Sequence, residues 1–448
     1  MEYICIRHKT FMKNIFTSFL ILFSISLFAQ DNRKCFTSEL IQKELIINKD
    51  YKNQIQKVYK QNKTWLSENR NKNNKELITI PVVVHVIYRQ THANIGIGTN
   101  IPNYQIEDQL RILNEDYSKT NSEFPNPPRN TFINYADNPN LKFCLATIDP
   151  NGNPTNGITR TQSFKNNFDY DAEANDMKRN VTGGKDAWDP SRYLNIWVCD
   201  IASSGNTSVL GYAYLPSFLT VGSWRDGLVV DFQHFGTVGT AAPSSDGRTP
   251  THEIGHYLGL LHTFCESSSG GCCDNDNTWG SNVYDTPASD DPYYGNVNSN
   301  TNNNSCNDLL FGFNSDLLDI DENFMAYSRN TWMFTNDQVG EMTATLNGIR
   351  SNLKNSNVPV NCSGTVSTYN ENFSFNIYPN PAKSEIKIDC NYPNYDIKLI
   401  DILGKRVLYD KDLSFNQIID ISKFKNGTFF LEITTPQSKK IEKIIINK

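Results

Sequence analysis

Apolar runs alternate with polar segments along the chain, and their lengths predict a sheet in the first half. Residues 77–88, LITIPVVVHVIY, are a run of β-branched and other apolar residues, which is typical of a buried strand. Shorter apolar runs predict further strands at 141–148, 193–199, 211–215 and 227–231. His85 lies inside the longest run, and we expect it to be a core histidine and not a metal ligand.

Helical periodicity marks two further segments of the chain. Within residues 103–117, apolar side chains recur at a spacing that places them on one helix face: Ile106, Leu110, Leu113 and Tyr117. Residues 336–353 carry a similar apolar face and predict a closing helix. Strands that alternate with helices favour a mixed α/β layer for the N-terminal half of the chain.

A second, all-β pattern fills the end of the chain. Residues 355–372 are polar and predict a linker, and residues 373–448 alternate apolar and polar positions between turn signals. The alternation predicts strands at 385–388, 395–402, 417–420, 428–434 and 440–446. Short strands separated by turn signals in this way predict a small β-sandwich of immunoglobulin-like type.

The start of the chain has the pattern of export and maturation segments. Residues 1–30 combine basic residues, an apolar run at 15–28 and Ala29, which together predict a signal peptide. The apolar run is short for a bilayer span, and we expect no transmembrane segment elsewhere. Residues 31–75 predict a propeptide that ends in the polar, basic stretch NRNKNNK, where we expect proteolytic maturation.

Composition narrows the function classes. The chain has 448 residues, more than one domain of typical size, and a formal net charge of −6 without a long basic block. We therefore expect no nucleic-acid partner. Nine cysteines remain after Cys5, and an odd number in an exported protein leaves one thiol free.

The strongest chemical signal is the stretch GRTPTHEIGHYLGLLH at residues 247–262. His252 and His256 are four residues apart, so a helix places both on one face, where they can bind one zinc ion. Glu253 lies beside the first histidine and can act as general base on a water bound to that zinc. Gly259 can end the helix and turn the chain back, so that His262 becomes a third ligand.

Three protein ligands with an open fourth position are typical of a catalytic zinc site, whereas structural sites are closed by four ligands. The pattern therefore predicts a zinc hydrolase. One alternative is an amphipathic helix whose histidines merely lie on its polar face. Others are a secreted adhesion or binding protein with a structural metal site, and a zinc hydrolase that acts on non-peptide bonds. Glu253 argues against a structural site, because such a site has no use for a base.

HEIGHYLGLLH matches the metzincin motif H-E-x-x-H-x-x-G-x-x-H, and ENFMAYS at 322–328 is similar to the methionine turn of that clan. With the lead-in GRTPT and the Asp-Thr-Pro at 285–287, these motifs resemble the bacterial secreted pappalysins over residues 78–353. The resemblance implies a secreted zinc endopeptidase with protein and peptide substrates. It implies that Met325 packs beneath the zinc and that Tyr327 steadies the tetrahedral intermediate. Residues 211–215 look like the edge strand to which a peptide substrate adds.

The resemblance also implies two further features. Calcium is expected near the Asp-Thr-Pro stretch, where oxygen ligands are available from Asp274, Asp276, Asp285 and Thr286. Their spacing differs from that of an EF-hand, and solvated loop acids are the alternative. Related zymogens fill the open zinc position with a propeptide cysteine, which makes Cys35 the candidate zymogen switch. An unpaired or otherwise bridged tail cysteine is the alternative.

The irregular stretch 265–307 contains four cysteines, Cys265, Cys272, Cys273 and Cys306. Disulfides among them would hold a loop of this length, and the two adjacent cysteines are expected to take different partners. The connectivity stays open.

One stretch departs from the family pattern. Relatives that cleave beside Arg or Lys carry acidic residues after the methionine-turn tyrosine, whereas this chain has SRNTW at 328–332. The basic preference is therefore not carried over. If Arg329 faces the substrate pocket, it favours an acidic or polar residue.

The last segment resembles the C-terminal sorting domain of the type IX secretion system, through YPNP at 378–381, LIDILGKRV at 399–407 and GTFFLEI at 427–433. This implies a secreted or cell-surface protein that contacts the type IX machinery, with an adhesive or sugar-binding sandwich as the alternative. The whole chain is predicted to be an α+β protein. A metzincin-type catalytic domain at 76–354, with a mixed twisted sheet, a zinc helix and an irregular C-terminal subdomain, precedes the small all-β sandwich. We expect a monomer.

Overall fold

The structure, a computed structural model, describes residues 34–69, 76–201, 209–266, 271–362, 375–390, 395–413, 417–434 and 439–448. The predicted signal peptide at 1–30 lies outside the described residues. So do residues 70–75 of the predicted maturation stretch and residues 363–372 of the predicted linker.

One eight-stranded sheet organises the first part of the chain. The strands of this part are β1 (Lys34–Cys35), β2 (Ile78–Arg89), β3 (Ala136–Asp137), β4 (Leu141–Ala146), β5 (Ile158–Ser163), β6 (Leu194–Cys199), β7 (Val209–Ala213), β8 (Leu228–Asp231), β9 (Phe334–Thr335) and β10 (Val360–Asn361). The order in the sheet is β1–β7–β8–β6–β2–β4–β10, and β5 also pairs with β2. Strand β2 is parallel to β4, β5 and β6, whereas β7 is antiparallel to β8. β3 and β9 form a separate pair. The mixed sheet agrees with the predicted fold class.

The central strand β2 is buried on both faces, which explains its nearly continuous apolar sequence. Its even-numbered residues from 78 to 86 pack into the main core, while Val83 and Ile87 pack on the opposite face. His85 is fully buried between Thr159 Oγ1 at 2.7 Å and Asn195 Oδ1 at 3.0 Å. Burial lowers its pKa to about 4, so it is a neutral core histidine, as predicted.

Helices pack on the sheet, and four of them follow strand β8 in the chain. They are α1 (Thr37–Ile47), α2 (Tyr51–Asn69), α3 (Asn103–Asp116), α4 (Thr249–Tyr257), α5 (Asn275–Trp279), α6 (Asn336–Asn347) and α7 (Ser351–Lys354). Single 3₁₀ turns lie at Gln90–His92, Asp176–Lys178, Asn180–Thr182, Phe232–His234 and Asp308–Phe311. Helix α3 presents its predicted apolar face to the main core, which also contains residues of α4 and α6.

Two predictions about the region after residue 335 need correction. The closing helix is divided into α6 and α7, because Gly348 follows α6 and Arg350 turns inward to donate to the Tyr257 carbonyl oxygen at 2.9 Å. The predicted linker begins too early, because residues 360–362 are attached to the sheet. Strand β10 pairs with β4, and Cys362 forms a disulfide with Cys144.

Disulfides hold the irregular stretch that follows α4. Cys265 bonds to Cys273, and Cys272 bonds to Cys306. The adjacent cysteines therefore take different partners, as predicted. Among the described residues Cys35 and Cys199 are both free thiols and both buried, so the expectation of a single free thiol is wrong.

The C-terminal part is a small sandwich of two antiparallel sheets. Its strands are β11 (Phe375–Tyr378), β12 (Glu385–Cys390), β13 (Tyr395–Asp401), β14 (Arg406–Leu413), β15 (Gln417–Asp420), β16 (Gly427–Thr434) and β17 (Lys439–Ile446). The sheets have the orders β11–β12–β15 and β14–β13–β16–β17, and apolar side chains from both form a second core. The sandwich agrees with the prediction, although β11 and β14 were not predicted. Within the described residues, no helix combines the length and the apolar character that a membrane crossing requires.

Candidate metal centre

Helix α4 carries the histidine motif, and its sequence determines where it begins and ends. Pro250 lies in the first turn, where a missing N–H costs nothing. The helix ends at Tyr257, and Gly259 then takes a φ of +103°, which favours glycine. This turn reverses the chain and brings His262 back towards His252 and His256.

The three histidines meet through their Nε2 atoms. His252 Nε2 lies 3.0 Å from His262 Nε2 and 3.1 Å from His256 Nε2, and the last pair is also 3.1 Å apart. The opposite ring nitrogens face carbonyl oxygens: His252 Nδ1 lies 2.8 Å from Phe324 O, and His256 Nδ1 lies 2.8 Å from Leu260 O. Each Nδ1–H thus donates to a carbonyl, which leaves the Nε2 lone pairs pointing at a common space.

The short distances between the three Nε2 atoms are explained better by a shared metal ion than by hydrogen bonds between the rings. Burial lowers the pKa of His252 to about 3 and that of His256 well below its usual value, so both imidazoles are neutral. Neutral rings with Nδ1 protonated have no proton to share between their Nε2 atoms. A tetrahedral zinc with bonds of about 2.0–2.1 Å sets its nitrogens about 3.3 Å apart, close to the observed separations. The donor set therefore fits zinc.

Cys35 lies at the open side of the three rings. Its Sγ and the histidine nitrogens all lie within 4.8 Å of one another, and all four side chains are buried. The thiol donates to Glu253 Oε2 at 3.4 Å. Burial and the nearby Glu253 carboxylate raise the pKa of the Cys35 thiol. The structure thus brings the predicted switch residue to the predicted ligands.

The backbone beside Cys35 is held on the edge strand. Strand β1 lies parallel to β7, and Phe36 N donates to Gly211 O at 3.1 Å. The Thr37 hydroxyl donates to Ala213 O at 3.0 Å and accepts from Ala213 N at 3.1 Å. Residues 34–37 therefore occupy the edge to which a substrate peptide is predicted to add.

Glu253 is buried next to the histidines. Its Oε2 accepts from the Thr37 hydroxyl at 3.4 Å as well as from the Cys35 thiol. Burial raises the pKa of Glu253 to about 8, while the bonds from Cys35 and Thr37 lower it. Both of these partners belong to residues 34–69, which we call the N-terminal segment.

Tyr327 lies beside the histidines and Met325 lies against helix α4, and their roles stay predictions. The Tyr327 hydroxyl accepts from Cys35 N at 3.1 Å, and its ring centroid lies 5.0 Å from that of His262. Met325 is fully buried beneath α4, so close that a Cβ on Gly255 would clash with its Sδ. A side chain larger than hydrogen at position 255 would therefore displace Met325, a constraint that was not predicted.

Glu266 is a further residue of the site that was not predicted. Its carboxylate accepts hydrogen bonds from His262 Nδ1 and from the Ser38 hydroxyl. A carboxylate on the outer nitrogen orients a ligand histidine and makes its inner nitrogen more basic. The available signal was the spacing, because Glu266 follows His262 by four residues.

Two of the four residues predicted to bind calcium, Asp274 and Asp285, accept hydrogen bonds at helix N-termini. Asp274 accepts from Asn277 N at the start of α5, and Asp285 accepts from Asp337 N at 3.0 Å at the start of α6. Thr286 Oγ1 lies 3.5 Å from Asp276 Oδ2. In the described parts of the chain, these acids do not converge into a group of three ligand atoms.

Arg329 is exposed and does not line the pocket beside Glu253, and its role in substrate preference stays a prediction. Arg248 lines the pocket instead, together with Asp246. Its guanidinium bonds Glu123 at 2.8 Å and the Thr331 carbonyl oxygen. The cation at this pocket is therefore already paired within the chain.

Comparisons with known proteins assign the two parts of the chain. The family described as pregnancy-associated plasma protein-A matches residues 177–347, and the secretion system C-terminal sorting domain matches residues 376–447. Mature mirolysin of Tannerella forsythia, in complex with a cleaved peptide, is 35% identical with a TM-score of 0.53. This match covers 63% of this chain and 97% of mirolysin. A promirolysin mutant of the same organism is 31% identical with a TM-score of 0.57, and covers 72% of this chain and 96% of promirolysin.

Fungal proteins named extracellular metalloprotease are also similar. The one from Pyricularia oryzae is 29% identical over 214 residues, 47% of this chain and 57% of the relative. The one from Arthroderma benhamiae is 31% identical over 219 residues, 47% of this chain and 59% of the relative. This chain thus spans less than two thirds of the length of these relatives.

The matched parts define a pappalysin-type metalloprotease fold followed by a sorting domain of the type IX secretion system. The chain belongs to the pappalysin family of metalloproteases. Its sorting domain makes it a secreted or cell-surface protein.

Proposed function

We propose that the chain is the precursor of a secreted, zinc-dependent endopeptidase of metzincin type. The observation that carries this proposal is the convergence of three Nε2 atoms within 3.1 Å of one another, beside a buried carboxylate. Membership of a metalloprotease family supports zinc as the metal. No comparison favours the adhesion alternative.

In this proposal His252, His256 and His262 would hold the zinc through Nε2. The zinc would supply Lewis acidity, which activates water at neutral pH. Glu253 would act as the general base that takes a proton from the attacking water, and as the acid that returns it to the leaving amine. The carbonyls of Phe324 and Leu260 keep two of the rings in the tautomer that presents Nε2 to the metal.

Tyr327 and strand β7 act on the substrate. The Tyr327 hydroxyl, which here bonds the backbone of Cys35, is placed to donate to the oxyanion of the peptide bond under attack. Gly211 and Ala213 on β7 offer backbone groups to an extended peptide, as they do here to Phe36 and Thr37. Met325 forms the apolar floor below the metal.

The N-terminal segment keeps the precursor latent in this proposal, with residues 31–75 as the propeptide. It covers the edge of β7, donates a hydrogen bond to Glu253 and brings Cys35 Sγ within 4.8 Å of the histidine nitrogens, from where the thiol would fill the fourth metal position. A segment in this position excludes both the water and the substrate. Removal of the segment frees Glu253 Oε2 to act as a base.

The proposed function can be tested on the processed secreted protein. We expect one zinc per chain by mass spectrometry of the metal content, and cleavage of casein into new peptides identified by their sequences. A processed chain that binds no metal, or that binds zinc and leaves casein intact, would contradict the proposal. The second outcome would favour the adhesion alternative.

The same sample can be used to test two further points. Calcium at Asp274, Asp276, Asp285 and Thr286 stays a prediction that depends on the family resemblance, and bound calcium would be detected in addition to the zinc. The monomeric state also stays a prediction, and light scattering on the same sample measures it.

A Cys35→Ala precursor is expected to be about 10- to 100-fold more active than the uncut wild-type precursor. The variant removes the buried hydrogen bond from the thiol to the Glu253 carboxyl group, and such a bond to a charged group is worth about 1.5–3 kcal/mol. Hydrolysis of a short fluorogenic peptide, measured before any cut, gives the comparison. Cys199→Ala is the matched control, since Cys199 is a second buried free thiol. The switch role would be refuted by equal activities of the two variants.

A further inference from the structure

The N-terminal segment is also held at a second place, apart from the three histidines. Helix α2 begins at Tyr51, sixteen residues after Cys35, and buries one stripe of side chains: Tyr51, Ile55, Val58, Tyr59 and Asn62. Each of them is at most 1% exposed. Their spacing places them on one helix face, whereas Lys57, Lys60 and Gln61 on the other side are exposed.

The stripe occupies a groove that the rest of the chain forms between the turn after α4, helix α5 and helix α6. We call this surface the helix groove; its residues are Leu215, Leu261, Trp279, Asn282, Glu341 and Thr345. The apolar residues of the groove form one buried cluster with Tyr51, Ile55 and Tyr59. The contact therefore resembles the docking of an amphipathic helix in an apolar groove, in which side chains at regular helical spacing make the buried contacts.

Polar anchors give this contact its specificity. Asn62 Nδ2 donates to Glu341 Oε1 at 2.6 Å and to Thr345 Oγ1 at 2.9 Å. Asn282 Nδ2 donates to the Tyr59 carbonyl oxygen at 3.0 Å and to Glu341 Oε2 at 2.8 Å. Buried polar groups are costly unless they are paired, so this set fits one helix in one register.

The groove also adjoins the histidine motif. The Tyr59 hydroxyl donates to Gly259 O at 2.9 Å, at the turn between His256 and His262. Between the two contacts of the segment, Glu44 of α1 forms an ion pair with Arg225. The segment is thus attached at both ends, and only one end depends on Cys35.

We propose that the helix groove binds residues 51–69 independently of Cys35 and retains the N-terminal segment after the chain is cut between residues 70 and 75. The proposal deepens the proposed precursor function, on which it rests. A docked α2 keeps Cys35 close to the histidines at a high effective concentration. A cut alone therefore leaves the site covered, and activation requires that the fragment is displaced or degraded.

The test uses the full chain with Glu253→Gln, which prevents self-digestion, and with residues 70–75 replaced by the recognition sequence of a specific protease. After the cut, the fragment is expected to co-elute with the rest of the chain in gel filtration. A labelled synthetic peptide of residues 51–69, which lacks Cys35, is expected to bind the cut chain and to displace the fragment when present in excess.

Matched variants in the fragment locate the contact. Tyr59→Phe with Asn62→Ala removes the side-chain hydrogen bonds from α2 to Gly259, Glu341 and Thr345 and is expected to speed release of the fragment by about tenfold or more. Gln61→Ala changes an exposed neighbour and is expected to leave the release rate unchanged. Elution of the wild-type fragment as a separate peak directly after the cut would overturn the proposal. So would a peptide 51–69 that neither binds nor displaces, a result that involves no variant and no question of misfolding.

Activity gives a separate readout in the chain that keeps Glu253. Hydrolysis of a short peptide is expected to start with a lag after the cut and to rise as the fragment is lost. Full activity at the moment of the cut would overturn the proposal. A chain with no hydrolytic activity at all would contradict the proposed function, while the binding measurements would still decide the role of the groove.

Discussion

Replacing Glu253 by Gln in the processed chain is expected to lower kcat for casein hydrolysis by about 10²- to 10⁴-fold, the range that a positioned acid–base group contributes. Gln has nearly the size and shape of Glu but cannot accept a proton from water. The zinc content is expected to stay at one per chain, because the proposed ligands are the three histidines.

The comparison needs equal folding and equal metal loading. Zinc content and thermal unfolding are therefore measured on the same preparations as kcat. Glu115→Gln is a suitable control, since Glu115 pairs with the exposed Arg111 on the outer side of helix α3, away from the histidines. Wild-type activity in the Glu253→Gln variant would exclude Glu253 as the base, and with it the metzincin mechanism.

The central geometry of the site could be predicted because its information is local. The i, i+4 spacing of two histidines places them on one face of α4, and a glycine with positive φ turns the chain back to the third. The continuous apolar run of β2 and the alternating pattern of the C-terminal strands are local in the same sense. Each of these predictions depends on side chains within about one or two turns of one another.

The contacts of the N-terminal segment could not be predicted, because they join residues that are far apart in the chain. Asn62 bonds Glu341, and Cys35 N bonds the Tyr327 hydroxyl across 292 positions. No local period records such a pairing. Only five residues of the largely polar helix α2 are buried, so its sequence did not predict a docked helix.

The division between α6 and α7 has the same origin. The apolar period continues through residues 336–353 and predicts one helix, yet the chain leaves the helix at Gly348 and resumes at Ser351. Between them Arg350 turns into the core, where it meets Asp226, more than a hundred positions earlier in the chain. The ion pair between Arg350 and Asp226 thus interrupts the helix, although the apolar periodicity of the sequence continues.

Arg350→Ala is expected to lower the free energy of unfolding by about 3–5 kcal/mol, since loss of one partner leaves a buried charge uncompensated. Arg350 is fully buried and bonds both oxygens of Asp226 at 2.9 Å. It also donates to Tyr257 O, the last residue of α4, and its guanidinium lies 3.3 Å from the centre of the Tyr257 ring. The variant therefore removes the link between the end of the histidine helix, Asp226 and α7.

Urea unfolding of the uncut precursor, with Glu253→Gln to prevent digestion and with disulfides intact, measures the loss. Arg350→Lys keeps the charge but loses the bidentate hydrogen bond to the Asp226 carboxylate. The free energy of unfolding is expected to fall by an intermediate amount, about 1.5–3 kcal/mol. Arg329→Ala removes an exposed arginine and is expected to change stability by less than about 0.5 kcal/mol. Equal stabilities of the Arg350→Ala and Arg329→Ala variants would show that the inward turn of the chain, and not the buried pair, divides the closing helix.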